Sequence, residues 1–126
     1  MPVDNSAKKI LIVDDSKVSR MLIRSHIMAQ RPDWITSEAA CGEDAIAMVD
    51  VEQPDFCTMD INMPGIPGTD AAEQILAKHP SIKIVIFSAN IQETHQERAR
   101  SLGTILVSKP VTEKSITLAL DYFAKA

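Results

Sequence analysis

Short runs of apolar residues recur along the chain and alternate with segments of helical periodicity. The clearest run is "KILIVDD", in which Ile10 to Val13 are all apolar and leave no polar face. The runs "DFCTMD", "IKIVIFSA" and "TILVSKP" are also predicted strands, and "WITSEAA" is a more polar strand expected at a sheet edge. Because buried parallel strands need cover on both faces, the pattern predicts an α/β fold with helices on both sides of the sheet.

Five predicted strands alternate with five predicted helices, which by the βαβ rule indicates a doubly wound parallel sheet of the flavodoxin-like type. In the strand order 2-1-3-4-5, strands 1 and 3 flank the point where the order reverses. No repeat, low-complexity tract or linker interrupts the pattern. Residues 1–126 are therefore expected to form a single domain with its core at about 8–125, without an output domain.

Apolar spacing also predicts the buried faces and the ends of the helices. Ser16 is the expected N-cap of the first helix and Thr112 that of the last. The fourth helix, within "NIQETHQERARSLG", offers few apolar side chains and should end at Gly103, so we expect it to be the least firmly docked. The expected core residues are Val18, Met21, Leu22, Met28 and Ala29 in the first helix, and Ile116, Ala119, Leu120 and Phe123 in the last.

Composition and charge narrow the possible classes of function. The net charge of −4 argues against a nucleic-acid binder, whose binding face is usually basic. The longest apolar runs are too short to span a bilayer, and the N-terminal "MPVDNSAKK" lacks an apolar secretory segment, so no membrane partner and a cytoplasmic location are expected. Cys41 and Cys57 form no CxxC pair and are interpreted as inert buried thiols.

Polar side chains stand where the predicted strands end. Strand 1 ends in Asp14 and Asp15, strand 3 in Asp60, strand 4 in Ser88 and strand 5 in Lys109. Open parallel sheets bind ligands beyond the carboxyl ends of their strands, so these side chains should share one rim. Two carboxylates about 4 Å apart repel by about 4 kcal/mol at an effective dielectric constant of about 20. Three of them therefore call for a protonated carboxyl, compensation by Lys109 or a divalent cation.

The residue types at this rim favour phosphoryl transfer. Oxygen ligands suit Mg²⁺ better than zinc. The cation and Lys109 can neutralise phosphoryl oxygens, and Ser88 can donate a hydrogen bond to them. Asp60 is the predicted nucleophile, because a carboxylate can form an acyl phosphate. Asp15, assisted by Asp14, is the predicted metal ligand.

The motifs "ILIVDDS", "MDINMPGIPG", "FSA" and "KP", taken in this order, resemble the response-regulator receiver domain over essentially the whole chain. The resemblance implies that Asp60 accepts phosphate from a histidine kinase or a phosphotransfer protein. It implies Mg²⁺, or Mn²⁺ in its place, bound by Asp15, Asp60 and the backbone carbonyl of Asn62. It further implies recognition of the phosphoryl group by Lys109 and Ser88, and a cis peptide bond between Lys109 and Pro110.

A receiver without an output domain resembles chemotaxis regulators and phosphorelay intermediates, which act by docking on other proteins. The sequence does not name the downstream target, and a monomer or a weak phosphorylation-dependent dimer is expected. Phosphorylation should draw Ser88 and Lys109 inward and shift the face formed by helix 4, strand 5 and helix 5. Leu106 stands where receivers commonly carry a Tyr or Phe that changes rotamer, and this departs from the family pattern on which a partner that recognises the aromatic depends.

Three other functions remain open at the level of sequence. A phosphatase with an aspartyl-phosphate intermediate would need an acid two residues after Asp60, where this chain has Asn62. A flavin carrier of the same topology would need a phosphate cradle after strand 1, where this chain has two acids. A receiver-like docking domain that is never phosphorylated is the third. We expect a signalling protein with no separate substrate turnover, and no organic cofactor site.

Overall fold

The five strands form one parallel sheet in the order β2-β1-β3-β4-β5, with helices on both faces. This computed structural model describes residues 8–125, and the N-terminal residues 1–7, on which the expectation of no secretory segment mostly rests, lie outside that range. The predicted fold class and strand order are confirmed. Within the described range, no helix is both long and apolar enough to cross a bilayer.

Strands and helices alternate strictly along the chain. The strands are β1 (Lys9–Val13), β2 (Ile35–Ala39), β3 (Phe56–Asp60), β4 (Lys83–Ser88) and β5 (Ile105–Ser108). The helices are α1 (Lys17–Gln30), α2 (Gly42–Glu52), α3 (Gly68–Lys78), α4 (Glu93–Ser101) and α5 (Glu113–Ala124).

Successive side chains of the central strands enter two separate apolar layers. In β1, Ile10 and Ile12 pack with α1 and α5, whereas Leu11 and Val13 pack with α2, α3 and α4. The period-2 alternation of a strand explains this division, because neighbouring side chains point to opposite faces. β2 lies at one edge and is only partly buried, as its polar sequence predicted.

The predicted buried face of α1 is wrong. Val18, Met21 and Leu22 are exposed, and the buried residues of this helix are Ile23 and Ile27. Both sets have helical spacing, so α1 carries two apolar stripes, and only packing against the sheet and α5 decides which is covered. In α5 all four predicted core residues are buried.

The helix ends follow the predicted capping chemistry. The Ser16 hydroxyl accepts a hydrogen bond from the backbone N–H of Ser19, and Thr112 with Ser115 forms a capping box. α4 ends before Gly103, whose φ of +74° lies in the left-handed region that favours glycine. α4 has a single buried residue, Ala99, in agreement with its predicted weak docking.

The two cysteines are free and differ in their surroundings. Cys57 is buried in β3, and burial raises the pKa of its thiol, which keeps it protonated and inert. Cys41 precedes α2 and is partly exposed, so the expectation that both thiols are buried holds for Cys57 alone.

Candidate functional site

Three carboxylates meet beyond the carboxyl ends of β1 and β3. Asp60 is the last residue of β3, and Asp14 and Asp15 directly follow β1. One oxygen from each of the three lies within 4.8 Å of the others. Asp14 and Asp60 expose only 1% and 7% of their surface, whereas Asp15 is exposed. The sheet thus brings together the three acids that the sequence placed at this rim.

Burial and neighbouring charge change the acidity of Asp60. Its pKa is raised from 3.8 to about 6: loss of hydration is the main cause, the nearby charge of Asp14 adds to it, and Lys109 opposes both effects. Asp60 is therefore ionised at neutral pH but holds its proton far more strongly than an exposed aspartate. A carboxylate with this pKa keeps more basicity, and so more nucleophilic character, than an ordinary surface carboxylate.

Lys109 is the cation that reaches these carboxylates. Its Nζ donates to Asp14 Oδ2 at 2.8 Å and stands 3.5 Å from Asp60 Oδ1. Its backbone N–H donates to the carbonyl oxygen of Ser88 at 2.9 Å, and its peptide bond to Pro110 is cis. Burial alone would lower the pKa of Lys109, but the hydrogen bond to Asp14 and the charge of Asp60 outweigh it and raise the pKa. The ammonium therefore stays charged.

Ser88 lies at the same rim, at the carboxyl end of β4. It is fully buried as the last residue of β4, and its Oγ accepts a hydrogen bond from the backbone N–H of Asn90 at 3.0 Å. The two remaining predicted residues lie farther out. Asn62 is exposed two residues after β3, and Leu106 in β5 is partly buried and packs on the α2–α4 side of the sheet.

Two residues that support the site were not predicted from the sequence. Arg20 of α1 donates from Nη1 to the backbone carbonyl oxygen of Asp14 at 2.7 Å. The sequence does hold a signal for this contact: Arg20 lies four residues after the N-cap Ser16, so its side chain can reach back to the end of β1. Gly68 begins α3 against the backbone of Asp60, and a Cβ there would overlap the carbonyl oxygen of Asp60.

The donor set at the rim fits a hard divalent cation. Among residues 8–125, the three carboxylates face a single ammonium, that of Lys109, so the cluster keeps an excess of negative charge. All the donors are oxygens, and exposed Asp15 leaves room for waters, which Mg²⁺ retains in protein sites. Mn²⁺ accepts the same ligands.

The fold and the site together define a class: a flavodoxin-like domain with an acidic, lysine-bearing pocket at the point where strand order reverses. A family model described as the response regulator receiver domain matches residues 10–121. The chain belongs to this family, whose members typically use magnesium and phosphorylation.

Relatives and solved structures agree with this assignment. The chemotaxis protein CheY of Listeria monocytogenes is 35% identical over 118 residues, which are 93% of this chain and 98% of that protein. CheY of Thermotoga maritima is 32% identical over 119 residues, 94% of this chain and 98% of that protein. A CheX–CheY–BeF3–Mg²⁺ complex from Borrelia burgdorferi has the same fold, with a TM-score of 0.85, 23% identity and coverage of 94% and 90%. The chain is a CheY-like receiver domain of two-component signalling.

Proposed function

We propose that Asp60 is the phosphoacceptor of a chemotaxis-type or phosphorelay response regulator. The observation that carries the proposal is the position of its carboxylate: mostly buried, 3.5 Å from the Lys109 ammonium and within 4.8 Å of two further carboxylates. The proposed donor is the phosphohistidine of a histidine kinase or of a phosphotransfer protein. The likeness to CheY over nearly its full length supports a chemotaxis-type pathway.

In the proposed transfer, a carboxylate oxygen of Asp60 attacks the phosphorus and the P–N bond to the donor imidazole breaks. The imidazole leaves with the bonding electron pair and takes up a proton, and Asp60 becomes an acyl phosphate. Lys109 pairs with one phosphoryl oxygen. Ser88 donates its hydroxyl proton to another, which it can do while its Oγ accepts from the backbone N–H of Asn90.

Asp14, Asp15, Asp60 and the backbone carbonyl of Asn62 are the proposed ligands of Mg²⁺ or Mn²⁺. When bound, the cation supplies positive charge against the phosphoryl oxygens. Asp14 also holds Lys109 in place through its 2.8 Å contact, so the same side chain serves both the ammonium and the cation. Asp60 can react only when ionised, so the reaction should slow at acidic pH. The pKa of Asp60 is about 6 without a cation, and a bound cation should move the pH at which the reaction slows below that value.

The proposed output face consists of α4, β5 and α5. α4 buries only Ala99 and can shift at little cost. A groove of about 520 Å³ between β5 and α5 is lined in part by Ile105, Leu118 and Tyr122 and offers an apolar surface to a protein partner. Movement of Ser88 and Lys109 toward the phosphoryl group would be passed to this face through β5 and Leu106.

Incubation with Mg²⁺ and acetyl phosphate tests the proposal. The intact mass of the wild type should rise by one phosphoryl group, and Asp60→Asn should abolish the adduct. The matched control is Asp55→Asn, which alters a carboxylate at the opposite end of β3 and should leave the adduct in place. An adduct that persists in Asp60→Asn would contradict the assignment.

The same experiment separates the alternatives. An unchanged wild-type mass would favour a receiver-like docking domain that is never phosphorylated. Repeated turnover of a phosphate ester would favour a phosphatase, although Asn62 occupies the place of the acid that such an enzyme needs.

A further inference from the structure

Arg20 links the loop of the acidic site to the edge strand β2. Its Nη1 donates to the backbone carbonyl oxygen of Asp14 at 2.7 Å, and its Nε donates to Glu38 Oε1 at 2.8 Å. The Arg20 side chain is 16% exposed, against 38% for Glu38, so the guanidinium lies largely inside the fold. A planar guanidinium can satisfy both acceptors at once from fixed directions.

The contact with Arg20 completes the fixation of Asp14. The backbone N–H of Asp14 donates to the Ala39 carbonyl oxygen at 3.1 Å, and its Oδ1 accepts from the Ser16 N–H at 2.9 Å. Its Oδ2 accepts from Lys109. The backbone carbonyl is the remaining polar group, and it belongs to the peptide that joins Asp14 to Asp15. The hydrogen bond from Arg20 to this carbonyl therefore fixes the orientation of the peptide that leads into Asp15.

We infer that Arg20 is a positioning residue for the cation site, and that Glu38 orients it. Arg20 fixes the Asp14–Asp15 peptide so that exposed Asp15, which has no strand to hold it, faces Asp60. The inference rests on the proposed function, since it concerns the Mg²⁺ site used there. Residues that hydrogen-bond to metal ligands commonly orient those ligands, and their loss typically lowers metal affinity by about 10–100-fold.

If Arg20 acted only through its positive charge, its removal would change the Mg²⁺ affinity in the opposite direction. Its positive charge lies beside the carboxylate cluster and repels a cation, so removing it would raise Mg²⁺ affinity if charge were all that mattered. Loss of positioning lowers the affinity instead, because Asp15 must then be ordered when the cation binds. The direction of the change distinguishes the two roles.

The experiment is isothermal titration calorimetry of Mg²⁺ into the wild type, Arg20→Met, Arg20→Lys and Arg24→Met. Arg20→Met should lower the affinity about tenfold. Arg20→Lys should also lower the affinity, because an ammonium keeps the positive charge but cannot donate to both acceptors in the fixed directions of a planar guanidinium. Arg24→Met is the matched control: Arg24 lies one turn along α1 and donates to Thr36 of β2 at 3.1 Å without reaching the acidic loop. The Mg²⁺ affinity of Arg24→Met should stay within about twofold of that of the wild type.

Hydrogen exchange without Mg²⁺ gives a second readout. The Ser16 amide, which donates to Asp14 Oδ1, should exchange faster in Arg20→Met than in the wild type or in Arg24→Met. If Arg20→Met does not fold, as judged by circular dichroism, the Mg²⁺ titration and the hydrogen exchange of Arg20→Lys test the inference instead.

The outcomes separate this inference from the proposed function. Equal or higher Mg²⁺ affinity in Arg20→Met, or full affinity in Arg20→Lys, would overturn the positioning role while the wild type still binds Mg²⁺ and is phosphorylated. A wild type that takes up no Mg²⁺ and forms no adduct would overturn the proposed function, and this inference with it.

Discussion

Asp60 is the proposed phosphoacceptor, and burying its carboxylate opposes folding. Its pKa rises from 3.8 to about 6 on folding, because burial and the charge of Asp14 outweigh the attraction of Lys109. A difference of this size corresponds to about 3 kcal/mol against the ionised folded protein. The protein keeps a carboxylate where an uncharged side chain would be more stable, as is common at functional sites.

Replacement of Asp60 by asparagine should therefore stabilise the protein near pH 7.5. Without Mg²⁺, we expect the free energy of unfolding to rise by about 1–3 kcal/mol, because the variant has no buried charge to accommodate. Between pH 4 and 6, Asp60 binds more protons in the folded protein than in the unfolded chain, so its contribution to stability falls as the pH rises through this range. The gain from Asp60→Asn should thus shrink as the pH is lowered toward 4.

Urea denaturation at several pH values measures this effect. Asp55→Asn, at the exposed opposite end of β3, is the control and should not reproduce the pH-dependent gain. A gain from Asp60→Asn that does not change between pH 7.5 and 4 would contradict the electrostatic explanation.

At the scale of elements, α4 is joined to the fold in an unusual way. It buries one residue, Ala99, and ion pairs at the surface join it to α3. The Arg98 guanidinium stands 3.1 Å from Asp70 and 3.0 Å from Glu73, and all three side chains are at least a third exposed. Exposed ion pairs contribute about 0–1 kcal/mol each and weaken with salt, so α4 is held loosely and reversibly.

Arg98→Met should therefore loosen α4 and leave the rest of the fold intact. We expect faster hydrogen exchange of the α4 amides at low salt, with a change in global stability below about 1 kcal/mol. The difference should largely vanish in about 0.5 M NaCl, where the Debye length is only a few ångströms. Arg100→Met, on the same helix, is the control, because Arg100 forms no ion pair within residues 8–125. Equal exchange in both variants would show that the ion pairs do not hold α4.

At the scale of the whole molecule, the acidic site connects parts of the sheet that are distant in sequence. Asp14 and Lys109 are separated by 95 positions yet meet at 2.8 Å, and Asp60 joins them from a third strand. The charge excess of this cluster is present only in the folded state, because the unfolded chain disperses these residues. A cation that binds the cluster must therefore stabilise the whole fold.

We expect Mg²⁺ to raise the melting temperature of the wild type. The stabilisation should grow by about 1.4 kcal/mol for each tenfold rise in Mg²⁺ above its dissociation constant. Asp15→Asn should reduce the effect, because it removes a predicted ligand whose exposed side chain contributes little to packing. NaCl at matched ionic strength is the control for general screening, and an equal effect of the two salts would argue against a specific site.

The sequence predicted the strands, the strand order and the rim residues, because short apolar runs and strand-end polar residues are local features. It failed where packing chooses between equivalent patterns. α1 has two apolar stripes, and the sheet buries Ile23 and Ile27 rather than Val18 and Met21. Gly68 also belongs to α3, where its lack of a Cβ lets the helix begin against the carbonyl oxygen of Asp60.

The sequence by itself determined the architecture and the acidic site, since periodicity, chain order and parallel topology suffice to gather Asp14, Asp60 and Lys109 at one edge. Only the tertiary structure decided the supports of that site. Arg20 and Gly68 act through the backbone atoms of Asp14 and Asp60, respectively. Such contacts leave no periodic trace in a sequence, because they depend on where two separate elements come to lie in space.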